Sequence, residues 1–200
     1  MIARRALLLF ATIALWLPCA ASAQGSPDRA AAFVRGIAER MVAVTDGGGT
    51  ETDKRLAMQA VIDHDTDVDG IGQFCLGRFW RSATPEQQKA YLALFHQVMI
   101  TSFSSRISDY RGVKVTMGKA VTRDDNDVVS TTVERPNNPP AHVDWVISSA
   151  SGSPKIVDLV AEGTSMRLTQ RSDYAAFLSQ NGNSIEALLA AMKRQIAASS

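Results

Sequence analysis

Between residues 112 and 162 apolar side chains recur at every second position, an alternation that predicts four β-strands. Val113, Val115 and Met117 share one side, as do Val129, Thr131 and Val133. Val143, Trp145 and Ile147 form a third set, and Val157, Leu159 and Ala161 a fourth. The positions between them include Lys114, Thr116, Ser130, Glu134, Asp144, Ser148 and Asp158, so carboxylates are expected only on the opposite side. Turn residues at 123–127, at 135–141 with Asn137-Asn138-Pro139-Pro140, and at 148–154 keep the connections short, which implies an antiparallel sheet. Such a sheet covers apolar matter and sets no acid or base in it. That favours a container over a catalyst.

Helical periodicity brackets this sheet. The stripe Phe33, Val34, Ile37, Ala38, Met41 and Val42 predicts a helix over 27–44, ended by Asp46-Gly47-Gly48-Gly49. Further helices are expected over 52–62 and 67–81, the latter apolar around much of its circumference and therefore sandwiched. Thr84, Pro85 and Gln87 make a capping box, and Tyr91, Leu94, Phe95, Val98, Met99, Phe103, Ile107 and Tyr110 extend one face for roughly seven turns, until Gly112. Beyond Gly163, residues 164–171 read as strand extension or loop. Ser172 is expected to cap one helix, and Asn183 with Glu186 a last one. The expected architecture is α+β: a curved antiparallel sheet covered by helices on its concave face.

The N-terminus changes the picture of where the chain acts. Arg4 and Arg5 precede an apolar run from Ala6 to Leu17, then Pro18 and the small triplet Ala21-Ser22-Ala23. This is the layout of a secretory signal peptide over 1–23, cut after Ala23 and too short to span a bilayer. Trp16 and Pro18 argue against a lipid anchor at Cys19. Residues 24–200 then form one domain with an N-terminal helical part. Removing Arg4 and Arg5 takes the basic count from 21 to 19 against 20 acids, which argues against nucleic acid as a partner. Of two cysteines Cys75 alone survives, so the fold must rest on its core and not on a disulfide.

Sites of chemistry have weaker support. Asp65-Thr66-Asp67-Val68-Asp69-Gly70 matches the first half of a calcium loop, but Leu76 stands where the closing glutamate belongs, and helix capping explains these acids better. His64, His96 and His142 lack ligand spacing, so no metal and no cofactor is expected. Cys75, between Phe74 and Leu76, reads as a small buried hydrophobe. No Gly-x-Ser-x-Gly motif occurs. Face assignment gives the candidate lining of an apolar slot: Phe79, Trp80, Phe95, Met99 and Phe103 from helices, Val115, Met117, Val133, Trp145 and Ile147 from the sheet, and Met166. In this reading the long helix faces the sheet across the slot, and the helix around Phe79 and Trp80 forms one wall.

Several stretches together carry a family likeness: Leu76-Gly77-Arg78-Phe79-Trp80-Arg81-Ser82-Ala83-Thr84-Pro85-Glu86-Gln87, Tyr110-Arg111-Gly112, Pro139-Pro140, residues 158–166 (DLVAEGTSM), and Arg171-Ser172-Asp173-Tyr174. In this order, over nearly the whole mature chain, they resemble the MlaC family of periplasmic phospholipid shuttles, also called toluene-tolerance proteins. The resemblance implies an NTF2-like sheet, a monomer in the periplasm, acyl tails held between sheet and helices, and no enzymatic activity. It also implies transfer between an outer-membrane lipoprotein and porin complex and an inner-membrane ABC transporter bearing an MCE ring. The alternatives are a hopanoid or other lipid carrier of the same superfamily, an NTF2-like isomerase with a carboxylate inside its chamber, and a purely structural module.

Overall fold

The computed structural model describes residues 26–105 and 107–198; the expected signal peptide lies outside the described residues. Helix α1 (Pro27–Asp46) begins where its stripe requires, with Ser26 accepting from the Arg29 amide and Pro27 in the first turn. Helix α2 (Glu51–Asp65) opens on a reciprocal capping box between Thr50 and Asp53. Asp67 caps α3 (Val68–Leu76) by accepting from the Gly70 amide at 3.0 Å, so this acid of the calcium-like stretch starts a helix. Helix α3 is shorter than the expected 67–81 segment. Gly77 takes φ of 58°, a left-handed value that favours glycine, and sends the chain into a 3-10 segment at Gly77–Arg81.

Helix α4 (Pro85–Ser104) carries the expected box between Thr84 and Gln87. It ends sooner than its apolar stripe suggests, and a separate 3-10 turn at Ile107–Tyr110 leads to Gly112. The sheet then runs β1 (Lys114–Arg123), β2 (Asn126–Glu134), β3 (Ala141–Ser148), β4 (Lys155–Ala161) and β5 (Thr164–Ser165). It is a five-stranded antiparallel meander in sequence order, curved and unclosed. Among the described residues six α-helices accompany it, so the fold is α+β.

Two helix starts differ from expectation for local reasons. Glu162 and Gly163, both at positive φ, make the tight β4–β5 turn, and the chain drops into α5 (Met166–Gln180) at once. Ser165 therefore caps α5, accepting from the Leu168 amide, and Ser172 lies inside the helix. Before α6 (Ile185–Ala198), Asn183 occupies the left-handed turn at φ 58°, and Ser184 accepts from the Ala187 amide at 3.1 Å.

Buried side chains fall into two clusters. The helical one joins Met58, Ile62, Leu76, Phe79, Tyr91, Phe95, Tyr174, Leu178, Leu188 and Met192 from α2 to α6. The sheet cluster joins Val129, Trp145, Ile147 and Ile156 to Ala30, Val34 and Ile37 of α1 and to Val61 of α2. Helix α1 packs on β1 and β2, whereas α4 packs mainly on α6, α2 and α3. The helix laid over the sheet is thus α1, and not the long helix that its aromatic face suggested.

A bulge in β1 fixes the sheet's outer register: pairing passes from Met117–Thr131 to Ala120–Val129. Gly118 sits in it, where an added Cβ would lie 2.9 Å from the Ser130 carbonyl oxygen. Gly118→Ala is expected to cost about 1–3 kcal/mol, the usual penalty of overpacking against backbone, read as a lower urea midpoint.

Candidate binding site

Cross-strand register brings the alternating apolar residues onto one continuous face. Val115 opposes Val133; Met117, Thr131, Val143 and Ala161 form one row across four strands; Ala120, Val129, Trp145 and Leu159 form the next. A second bulge, between Val146 and Ile147, shifts β4 by a residue, so Ile147 opposes Ile156. Ile156 therefore supplies the buried contact that alternation alone gave to Val157.

Helix α1 covers this face only in part. Neighbouring strands lie about 4.8 Å apart, so four of them span roughly 19 Å, and a helix is roughly 10 Å across. Val129 and Ile147, at 0% and 1% exposure, are sealed with Trp145 and Ile156. On the same face Val115, Met117, Val133, Val143, Leu159 and Ala161 stay half-buried. An apolar strip therefore continues past the cover.

The polar groups on this side are satisfied. Thr131 donates its hydroxyl to the Val143 carbonyl and accepts the Trp145 indole N–H, both at 3.0 Å. Asp127 corrects the expectation that carboxylates keep to the other side: it lies in register with Ile147, 5% exposed, and accepts from the Thr122 hydroxyl at 2.6 Å. It stands at the start of β2, within the 123–127 stretch that the sequence pattern assigns to a turn. On the opposite side Asp158 accepts from the Ser165 hydroxyl at 2.5 Å and the Arg167 amide at 3.1 Å, joining β4 to the start of α5.

The candidate lining residues do not form a single wall. Phe79 and Phe95 belong to the helical cluster, with Trp80 and Met99 packed against it. Trp145 and Ile147 belong to the sheet cluster, with Met117 against it, and Val115 pairs with Val133 beside them. Phe103 and Met166 are 40% and 53% exposed. Sequence reasoning missed Met41, which packs against both clusters and so marks where they meet. Its place four residues after Ile37 on the α1 stripe was the available signal. Phe33 and Ala120 on the sheet side were missed as well.

Groups with reactive potential are engaged elsewhere. His96 contacts Asp63, His64 contacts Asp65 at 2.7 Å, and His142 lies 3.5 Å from the Thr132 hydroxyl, three separate places. Among the described residues no three His, Cys, Asp or Glu side chains gather where a metal ion would sit. Asp65 is buried and accepts from Arg40 Nη2 at 2.5 Å. Tyr91 donates to the Gly72 carbonyl at 2.9 Å inside the helical cluster. Burial, reinforced by nearby Asp158, pushes the Cys75 thiol up to about 12, and its S–H points to the Arg167 carbonyl at 3.5 Å.

This is an α+β fold whose distinguishing surface is an apolar sheet face wider than the helix laid on it. Residues 35–194 match the family described as MlaC protein, and the chain belongs to that family. Its fold is similar to that of a phospholipid-binding protein from Ralstonia solanacearum solved in complex with a phospholipid, with a TM-score of 0.72 and 23% identity, over 85% of this chain and 98% of that one. Among the described residues no helix is long and apolar enough to cross a membrane.

The Cys75 environment gives a direct check. A thiol reagent that attacks the thiolate is expected to label native protein at pH 8 at least about 100-fold more slowly than urea-unfolded protein. Because the folded state holds this proton to about pH 12 and the unfolded state releases it near the ordinary value of 9, this group's contribution to stability is complete below pH 9 and declines from pH 9 towards 12. Unfolding midpoints measured across that range read the decline.

Proposed function

We propose that this protein is a periplasmic phospholipid carrier that holds acyl chains on the apolar sheet face and leaves the headgroup in water. The observation that carries this reading is the half-covered strip of Val115, Met117, Val133, Val143, Leu159 and Ala161, continuous with the sealed residues beneath α1. Membership of the MlaC family and the fold shared with a lipid-bound protein support it, and favour a binding protein over an enzyme. The stretch at 1–23 acts as the export signal.

Energetics explain why a carrier is needed. Two acyl chains expose on the order of 30 methylenes, each worth about 0.8 kcal/mol when withdrawn from water, so a free lipid pays roughly 20 kcal/mol or more to cross an aqueous gap. The protein must match the bilayer without greatly exceeding it, or release fails. Half-buried aliphatic and methionine side chains suit that balance, since Met41, Met99 and Met117 repack at little cost. Direction must come from the partners, for which the reading assigns an outer-membrane lipoprotein and porin complex and an inner-membrane ABC transporter with an MCE ring. The protein acts as a monomer, with Phe79, Trp80, Phe95, Met99, Phe103 and Met166 serving the cargo only where the helical cluster opens near Met41. Asp127, held by Thr122 at a strand end, suits a structural brace and not an isomerase acid.

Native mass spectrometry of protein purified from a periplasmic extract is expected to show phospholipid at one per chain. A hopanoid mass would change the cargo and keep the class; lipid-free protein would sink the reading. Val143→Asp sets a charge in the half-buried strip and is expected to lower retained lipid about tenfold or more, with folding checked by circular dichroism.

A further inference from the structure

The polar attachments of α1 are unevenly placed. Arg40 bonds Asp65, the Thr45 carbonyl accepts from the buried Lys54 ammonium at 3.5 Å, and the Asp46 carboxylate accepts from the Gly112 amide at 2.8 Å. All three lie in the last seven residues of the helix. Over 27–39, among the described residues, α1 meets the rest of the molecule by apolar contact alone, through Ala30, Val34 and Ile37 with Ala31 and Phe33 beside them. Behind the anchored end come Gly47, Gly48 and Gly49, all exposed, with open space around Gly48.

We infer that α1 is a lid over the acyl-chain face, pivoting at Gly47–Gly49 and lifting at its N-terminal end. This rests on the carrier reading above and adds how cargo reaches the sealed residues. The lever geometry favours it: α1 is about 30 Å long and Arg40 stands about 10 Å from the pivot. A tilt of roughly 10° lifts the far end about 5 Å, room for a layer of carbons in contact at about 4 Å, and moves the Arg40 backbone less than about 2 Å. The Arg40 side chain, 51% exposed, follows that shift without leaving Asp65. What separates along 27–39 is apolar surface, and an acyl chain replaces it in kind. The anchored end keeps the register to which the lid returns.

Gly48 is the place to stiffen the pivot: it has open space around it and is not among the positive-φ glycines. Gly47 already has φ of −65° and ψ of 153°, the conformation a following proline requires, and the Gly48 amide makes no hydrogen bond among the described residues. Gly48→Pro, its fold checked by circular dichroism and urea midpoint, is expected to take up fluorescent phospholipid from vesicles about fivefold more slowly than the wild type.

A cargo-free readout separates this inference from the carrier reading. In V129C the new thiol lies under the lid, and in L178C it lies in the helical cluster, each replacing a side chain at 0% exposure; native Cys75 stays silent at pH 8. The V129C thiol is expected to react faster than the L178C thiol, and G48P to slow the first about fivefold while leaving the second unchanged. Equal labelling at both sites, or labelling of V129C indifferent to G48P, overturns the lid. Failure of the wild type to take up vesicle lipid sinks the carrier reading, while the labelling still decides whether α1 opens.

Discussion

The structure depends on a mismatch of widths. A single helix lies across a sheet of four long strands whose apolar side is about twice as broad, so the sheet cluster is sealed at its centre and thin at its margin. A second helix on the same face would have produced an ordinary closed core. The chain instead packs its remaining helices mostly against one another, with Val61 of α2 reaching the sheet cluster and Met41 of α1 packed against both clusters. The flexible Met41 thioether fills the seam between two hydrophobic cores.

The polar groups support that division. Asp158 is buried on the far side of β4 and binds both the hydroxyl and the amide that begin α5, while Arg167 reaches back to it at 3.5 Å and lies over the Phe74 ring. Sheet, α3 and α5 are thereby fastened as one frame. At the other end of β4, the Thr66–Ile156 bridge and the contact from the Lys155 ammonium to the His64 carbonyl fasten the α2–α3 junction. Within the apolar face two polar side chains are sealed among the described residues, and both are partnered: Thr131 by Trp145 and Val143, and Asp127, at the strand end, by Thr122. The row of Met117, Thr131, Val143 and Ala161 holds no titratable side chain.

Much of this was legible in the sequence because local chemistry fixed it. The Thr84–Gln87 box, the α1 stripe and the alternation through Val129 to Ile147 correspond to the elements found, and the family likeness through residues 76–87 and 158–166 pointed to the family the chain belongs to. The misses arose where backbone geometry overrides periodicity. A bulge exchanged Val157 for Ile156, the left-handed pair Glu162–Gly163 moved a helix start from Ser172 to Ser165, and Asp127 entered the apolar side from a position read as turn. Which helix covers which face was not local information at all. The aromatic stripe of α4 is as apolar as that of α1, and nothing in either decides which partner it meets.

The sheet is unclosed, so it has two rims, the places where another molecule's strand can hydrogen-bond. At one, β1 carries the outward-pointing charges of Lys114, Lys119 and Arg123, and the irregularity at Gly118 breaks the spacing a foreign backbone would need. At the other, β5 is two residues long and gives way to a helix. Both rims are poor templates for polymerisation. A protein obliged to keep greasy surface within reach of water is thereby protected from building fibrils out of its own copies.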